Sequence, residues 1–266
     1  MYRIGWFSTG RGKGSRDLLT AVQDSILKGD IGAEIEFVFS SREAGEAEGS
    51  DQFQELVRSY GFPLVCFSSK KFKPEMRRQS VAQWRLEYDR EVIKRLGGFS
   101  PDLCVLAGYM LIVGDEMCYR YDMINLHPAV PGGPTGTWQE VIWELIGNGA
   151  DSTGAMMHLV TPELDRGPVV THHRFPIKGE PFDRHWKEAE GMAVEEMQRE
   201  QGEDSPLFKV IRQHGLAREF PLIIATIKAF SDGRVRVEGG RVVDSAGKAI
   251  NGYDLTPDID MLVWGE

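Results

Sequence analysis

Three side chains carry the chemistry this sequence offers. They are the amide of Asn125 and the imidazole of His127 in Asn125-Leu126-His127-Pro128, and the carboxylate of Asp165 in Glu163-Leu164-Asp165-Arg166-Gly167-Pro168. Each has a task when an amine takes a one-carbon acyl group. An amide N–H donates to a developing oxyanion, an imidazole donates to it or shuttles a proton, and a carboxylate holds the imidazole's charge or orders a water that carries the amine's proton away. The incoming amine is itself the nucleophile, so the protein need not supply one. Each segment also reads as a plain turn, with Asn, Gly and Pro present for backbone reasons.

The elements that must position these groups follow a strand–helix alternation. Residues 2–8 read as a short buried strand, 10–14 as a glycine-rich turn, and 15–28 as an amphipathic helix with Leu18, Leu19, Val22 and Ile26 at helical spacing. Residues 34–40 alternate as a second strand, 52–60 are helical, 63–67 form a third strand, 79–96 a long charged helix, and 103–107 a wholly apolar strand of the kind buried on both faces. Such alternation predicts a wound α/β fold with a largely parallel sheet, whose ligands lie outside the carboxyl ends of the strands. There the Gly10 turn, the Gly108 loop and Asn125 to His127 gather. Strands over 153–160 and 169–175 flank Asp165, a helix covers 207–230 with Pro221 inside it, and Gly239-Gly240 turns a hairpin over 234–243.

At 266 residues, 41% of them hydrophobic, the chain suits one domain over 1–266, with a core over about 1–237 and a short C-terminal extension. A net charge of −9 disfavours a polyanionic partner, so nucleic acid is not expected. No apolar run reaches bilayer-spanning length, and no membrane partner is expected. Cys66, Cys104 and Cys118 are odd in number and widely spaced, and the chain opens directly on a strand without a signal core, which together predict reduced thiols and a cytoplasmic protein. His172 and His173 are adjacent on a strand and face opposite ways, and no Cys/His pairs stand at ligand spacing, so no metal is expected. The acid-rich stretch 178–206 reads as a solvated helix, or as a lid or oligomer contact.

Gly10, Arg11, Gly12, Lys13, Gly14 and Ser15 precede a helix, where backbone N–H groups and basic side chains can cradle a phosphate. The turn lacks the ending of a nucleoside-triphosphate loop and the spacing of a dinucleotide fingerprint. Met110, Leu111, Ile112 and Val113 form an apolar segment that suits either a flat heterocycle or core packing. Arg85 sits on the charged helix, where an arginine is ordinarily just solvated.

The ordered series PDLCVLAGYM before Asn-x-His, GAMMHLVTPELDRGP around Asp165, and FPLIIATIKAFSDGRV near the end resembles the folate-dependent formyltransferases, and those of glycinamide ribonucleotide most closely, over residues 4–237. The resemblance implies a Rossmann-like wound sheet of the formyltransferase type with a C-terminal helix and β-hairpin. It implies 10-formyltetrahydrofolate as co-substrate, a small and phosphorylated amine substrate, and a role in purine synthesis, and it leaves a homodimer open. By resemblance Asn125, His127 and Asp165 are catalytic, and residues 10–15 hold the substrate phosphate. Arg85, Met110, Leu111, Ile112, Val113, Thr161 and Glu163 border substrate and folate, and His158 is structural.

Two stretches depart from that pattern. After His127-Pro128 the family's Leu-Pro-x-Tyr-x-Gly becomes Ala129-Val130-Pro131-Gly132-Gly133-Pro134-Thr135-Gly136-Thr137-Trp138-Gln139, with different spacing, and a helix glutamate that meets ribose hydroxyls becomes Leu216, with Glu219 nearby. Both lie on the amine side. Another amine, such as a nucleotide-linked amino sugar, hydrolysis of the formyl group, and binding without turnover therefore stand as alternatives.

Overall fold

Apolar runs become strands and the amphipathic stretches between them become helices. The order is β1 (Tyr2–Ser8), α1 (Lys13–Leu27), β2 (Ala33–Ser40), α2 (Glu48–Ser59), β3 (Leu64–Cys66), α3 (Pro74–Gln79), α4 (Val81–Arg95), β4 (Leu103–Leu106), α5 (Asp115–Arg120) and β5 (Met123–His127). It continues with α6 (Trp138–Gly147), β6 (Ser152–Leu159), β7 (Val169–Pro176), α7 (Asp183–Ala189), α8 (Val194–Glu200), α9 (Pro206–Ser231), β8 (Val235–Glu238), β9 (Arg241–Asp244), β10 (Tyr253–Asp254) and α10 (Thr256–Trp264). The computed structural model describes residues 1–264. Eight strands form one sheet in the order β10-β7-β6-β5-β4-β1-β2-β3, and β8 and β9 form a separate hairpin. Within the large sheet β6 runs antiparallel to both its neighbours, while every other neighbouring pair is parallel.

Helices cover both faces, as a largely parallel sheet requires. On one face Leu18, Leu19 and Val22 of α1, Phe53 and Val57 of α2, and Leu222, Ile223 and Ile227 of α9 pack on Ile4, Trp6, Val105 and Ile124. On the other, Trp84, Tyr88 and Val92 of α4 and Met117 of α5 pack on Phe7, Phe37, Phe39, Leu106 and Met123. A buried side chain of this size contributes about 1.5–3 kcal/mol, so either face alone is a sizeable core.

Two expectations are corrected, and one element without a sequence expectation is added. The helix after the glycine turn begins at Lys13, so Lys13, Gly14 and Ser15 belong to its first turn. Residues 114–120, not foreseen as ordered, include α5. The acid-rich stretch 178–206 is no single solvated helix. Two short helices bring Phe182 and Met197, with the partly buried Trp186, Met192 and Val194, against α6 and the start of α9. Its charges face water, but apolar residues at i, i+4 and i+7 in 182–189 supply a packing stripe that the charge count hid.

Candidate active site

In a strand, alternate residues share a face. Met123 faces the α4–α5 side while Ile124 and Leu126 face the α1–α9 side, so Asn125 and His127 share the face of Met123. Because β6 is antiparallel to β5, Asn125 lies directly opposite His158 and His127 opposite Met156, and cross-strand partners share a face. Asp165 arrives from the loop between β6 and β7. Its backbone is left-handed at φ 53, a region that Asp tolerates better than most residues, and this brings its carboxylate over the two imidazoles. Asp165 Oδ2 lies 3.5 Å from His127 Nδ1 and Oδ1 lies 3.6 Å from His158 Nε2, with all three side chains almost wholly buried.

Hydrogen bonds fix the remaining atoms. His158 Nδ1–H donates to the Leu159 carbonyl at 2.8 Å, so its Nε2 accepts, and the Asn125 amide nitrogen donates to it at 3.3 Å. An amide nitrogen carries two hydrogens, and the second remains for a substrate. His127 Nε2–H donates to the Pro134 carbonyl at 2.8 Å, and the Gly136 N–H donates to Asp165 Oδ2 at 3.3 Å. The loop over 128–137 thus touches both His127 and Asp165 through its backbone. Its far end is pinned by a capping box between Thr137 and Glu140. Gly136 stands at φ +105, where an added Cβ would come within 2.5 Å of Glu140 Oε2.

Burial holds the His127 imidazole below its ordinary range, more than the Pro134 carbonyl and the Asp165 carboxylate raise it, and the neighbouring His158 ring adds to the lowering. Burial alone would raise Asp165, but His158, His127 and the Gly136 N–H outweigh it and hold the carboxyl below its ordinary value. At neutral pH the pair is therefore a neutral imidazole beside a carboxylate. The Nδ1 lone pair of His127 faces Asp165, and a proton taken there becomes an ion pair. Such a pair can take up a proton at Nδ1 and give it back.

The phosphate candidates lie across the sheet. Phe7 of β1 pairs with Leu106 of β4, which pairs with Asn125 of β5. At about 4.8 Å per strand, the end of β1 is roughly 10 Å from Asn125. The chain turns away from β1 toward β2 and returns on its other side as β4, so β1 and β4 flank the switch in strand order, where such sheets bind ligands. Gly10, at φ +66, packs against Phe53, which leaves no room for a Cβ, and the Ser15 hydroxyl lies against Gly108. No side chain caps α1 and its first turn holds no acidic residue, so its leading N–H groups and positive dipole end are open to an anion. Arg11, Gly12 and Lys13 are exposed, with Gly14 and Ser15 partly so. Lys13 is tied to Asp17 at 2.7 Å, and Arg16, not among the expected residues, donates to the Gly49 carbonyl at 3.3 Å.

Of the expected folate-side residues, Met110 and Ile112 are exposed, Leu111 is partly buried and packs on the α4–α5 core, and Val113 is buried in it. Arg85 lies against Gly114, whose N–H donates to Asp89 at 2.7 Å. The Thr161 hydroxyl donates to the Glu163 carbonyl at 3.1 Å, and Glu163 and Leu164 are exposed. His158, read from the sequence as structural, lies against both Asn125 and Asp165. Nothing in the sequence signalled Pro134 or Gly136, which act through backbone atoms. Among the described residues no group of three or more His, Cys, Asp or Glu is placed to hold a metal, and no helix is long and apolar enough to cross a membrane.

Comparison with known proteins matches this architecture. The model of the family described as formyl transferase aligns with residues 6–185. The phosphoribosylglycinamide formyltransferase of Escherichia coli is 26% identical over 176 residues, which span 64% of this chain and 70% of that protein. The formyltetrahydrofolate deformylase of Haemophilus influenzae is 26% identical over 122 residues, 45% of this chain and 39% of that protein. The crystal structure of glycinamide ribonucleotide transformylase 1 from Symbiobacterium toebii superposes with a TM-score of 0.65 at 26% identity, covering 92% of this chain and 94% of that one. The chain belongs to the formyl transferase family and is a folate-dependent formyltransferase.

Proposed function

We propose that this enzyme moves the formyl group of 10-formyltetrahydrofolate to the primary amine of glycinamide ribonucleotide. The observation that carries the reading is the convergence of Asn125, His127 and Asp165 on one sheet face, with the end of β1, which leads through the Gly10 turn to the uncapped α1, roughly 10 Å away at two strand spacings. A phosphate anchored at residues 10–15 would let a phosphoribosyl linker carry its amine across β4 toward Asn125. The phosphoribosylglycinamide formyltransferase relatives support this acceptor.

In the mechanism the amine nitrogen attacks the formyl carbon, the new C–N bond forms, and the carbonyl electrons move to oxygen. The free Asn125 amide hydrogen donates to that oxyanion, a contact worth on the order of 3 kcal/mol. His127 Nδ1 takes the proton from the attacking nitrogen, and Asp165 stabilises the imidazolium. The C–N10 bond then breaks, and the imidazolium returns the proton to the folate nitrogen. Donation by His127 itself to the oxyanion requires the formyl oxygen to replace the Pro134 carbonyl at Nε2. Met110, Leu111, Ile112 and Val113, with residues 161–164, border the folate.

The test is 10-formyltetrahydrofolate turnover with and without glycinamide ribonucleotide, read by tetrahydrofolate formation and by mass spectrometry of the amine. Turnover that needs the amine and yields its formamide is the expected result. Turnover to formate without an amine would instead support a hydrolase, the second reading that the Haemophilus influenzae deformylase match favours.

A further inference from the structure

Thr9 is the residue between β1 and the Gly10 turn, and it is 2% exposed. Every hydrogen-bonding group it has is used. Its N–H donates to the Gly108 carbonyl at 3.0 Å. Its hydroxyl oxygen accepts the Met110 N–H at 2.9 Å and shares a hydrogen with the Ser41 hydroxyl at 3.0 Å. Its carbonyl accepts from the Ser50 hydroxyl at 3.0 Å. These partners belong to the loop after β4, the loop after β2, and α2. One side chain therefore joins the turn that leads to the α1 N-terminus to the first residue of the apolar Met110 segment, across the switch between β1 and β4.

We propose that Thr9 is a positioning residue that couples the acceptor end of the site to the folate end. The inference rests on the formyl-transfer reading. An anion drawn to the α1 N-terminus fixes the Gly10 turn, which fixes Thr9. Through the Oγ1 contact with Met110 N–H, that orders the segment that folate meets. Each ligand then binds more tightly in the presence of the other, by the same factor in both directions, as linkage requires. For a link made of single hydrogen bonds the factor is about fivefold, the low end of measured couplings.

The experiment is calorimetric titration of tetrahydrofolate into the protein at zero and at saturating glycinamide ribonucleotide, for wild type, Thr9→Val, Thr9→Ser and Ser41→Ala. The wild type is expected to show the fivefold tightening, Thr9→Val to lose it, Thr9→Ser to retain it, and Ser41→Ala, which releases one side of the hydroxyl, to halve it. A purely structural role would weaken each ligand and leave their ratio unchanged. Unchanged coupling in Thr9→Val, or equal loss in Thr9→Ser, would overturn the proposal. So would a wild type that binds both ligands independently. A wild type that binds no tetrahydrofolate would overturn the formyl-transfer reading itself, and this inference with it. If Thr9→Val does not fold, Ser41→Ala carries the test alone, and full coupling there sinks the idea.

Discussion

Replacing Asp165 by Asn isolates the carboxylate's charge from its shape. Asn adopts the left-handed backbone that Asp165 occupies at φ 53 and keeps an oxygen for the Gly136 N–H, so the loop keeps its path. What disappears is the negative charge 3.5 Å from His127 Nδ1, in a pair almost wholly out of solvent. At an effective dielectric constant of about 20, two unit charges at that distance attract by about 5 kcal/mol. With the proton about half transferred in the transition state, about half of that is lost, roughly 2.5 kcal/mol or about 50-fold in rate. The assay is kcat/KM for tetrahydrofolate formation across pH 5–9, with tetrahydrofolate affinity measured separately and expected to hold within about twofold.

The pH profile adds a second check on the same variant. His127 works as the neutral imidazole and its pKa already lies below the ordinary 6.5, so wild-type activity falls on the acid side as pH drops through that lowered value. The Asp165 carboxylate opposes that lowering. Without it the acid limb moves to still lower pH. Activity within about threefold of wild type, or an acid limb that moves upward, refutes the proton-relay role.

Three other outcomes are expected. Gly136→Ala forces a Cβ onto Glu140 at a φ of +105, so it should cost about 1–3 kcal/mol, visible as a melting temperature lower by roughly 2–10 °C, with kcat reduced as Pro134 and Gly136 leave His127 and Asp165; an unshifted melt contradicts the described loop. Gly49→Ala would place a Cβ 2.2 Å from the Arg11 carbonyl; pushed off α2, the phosphate turn should raise KM for the phosphorylated amine by at least about fivefold while KM for folate stays within about twofold, and equal changes in both count against a phosphate at residues 10–15. His173 is 1% exposed, has no hydrogen-bond partner on either ring nitrogen among the described residues, and is held down to about 4 by burial and then by Arg218 and His172. The unfolded chain protonates this ring near 6.5 while the folded chain refuses the proton, so its contribution is present above pH 6.5 and is lost toward pH 4, by up to about 3 kcal/mol. Urea denaturation of His173→Phe should show that much less dependence on pH over the same range, and an unchanged slope would mean the ring is not held neutral.

Much of this arrangement was legible because strands and spacing are local properties. The apolar runs of β1 and β4 were readable as strands, and the wound alternation placed Asn125 and His127 with the Gly10 turn and the Gly108 loop at the carboxyl ends of the strands, but β5 and the shared face of Asn125 and His127 were not foreseen. The approach of Asp165 depended on a left-handed residue in a loop, and no periodicity encodes that. His158 became a partner of Asn125 only through the antiparallel register of β6, which the alternation of elements did not specify. Pro134 and Gly136 act through a carbonyl and an N–H that every such residue carries, so their types gave no warning. The stretch 178–206 misled because its charges outnumber its apolar residues, although it is the apolar ones that fix where it packs.

The margins of the large sheet carry a consequence for how copies of this chain behave together. One margin is β3, three residues long. At the other, β7 is eight residues long but is met by the two residues of β10, after which the Arg174 N–H is taken by the Thr256 hydroxyl at 2.9 Å and the Leu255 N–H is taken by the His172 carbonyl at 2.8 Å. A row of unpaired backbone groups is a template on which another strand can add. The segment 253–256 closes that template on β7, so the residues following the hairpin serve colloidal stability, and a chain cut before them would expose a strand able to recruit its own kind into aggregates.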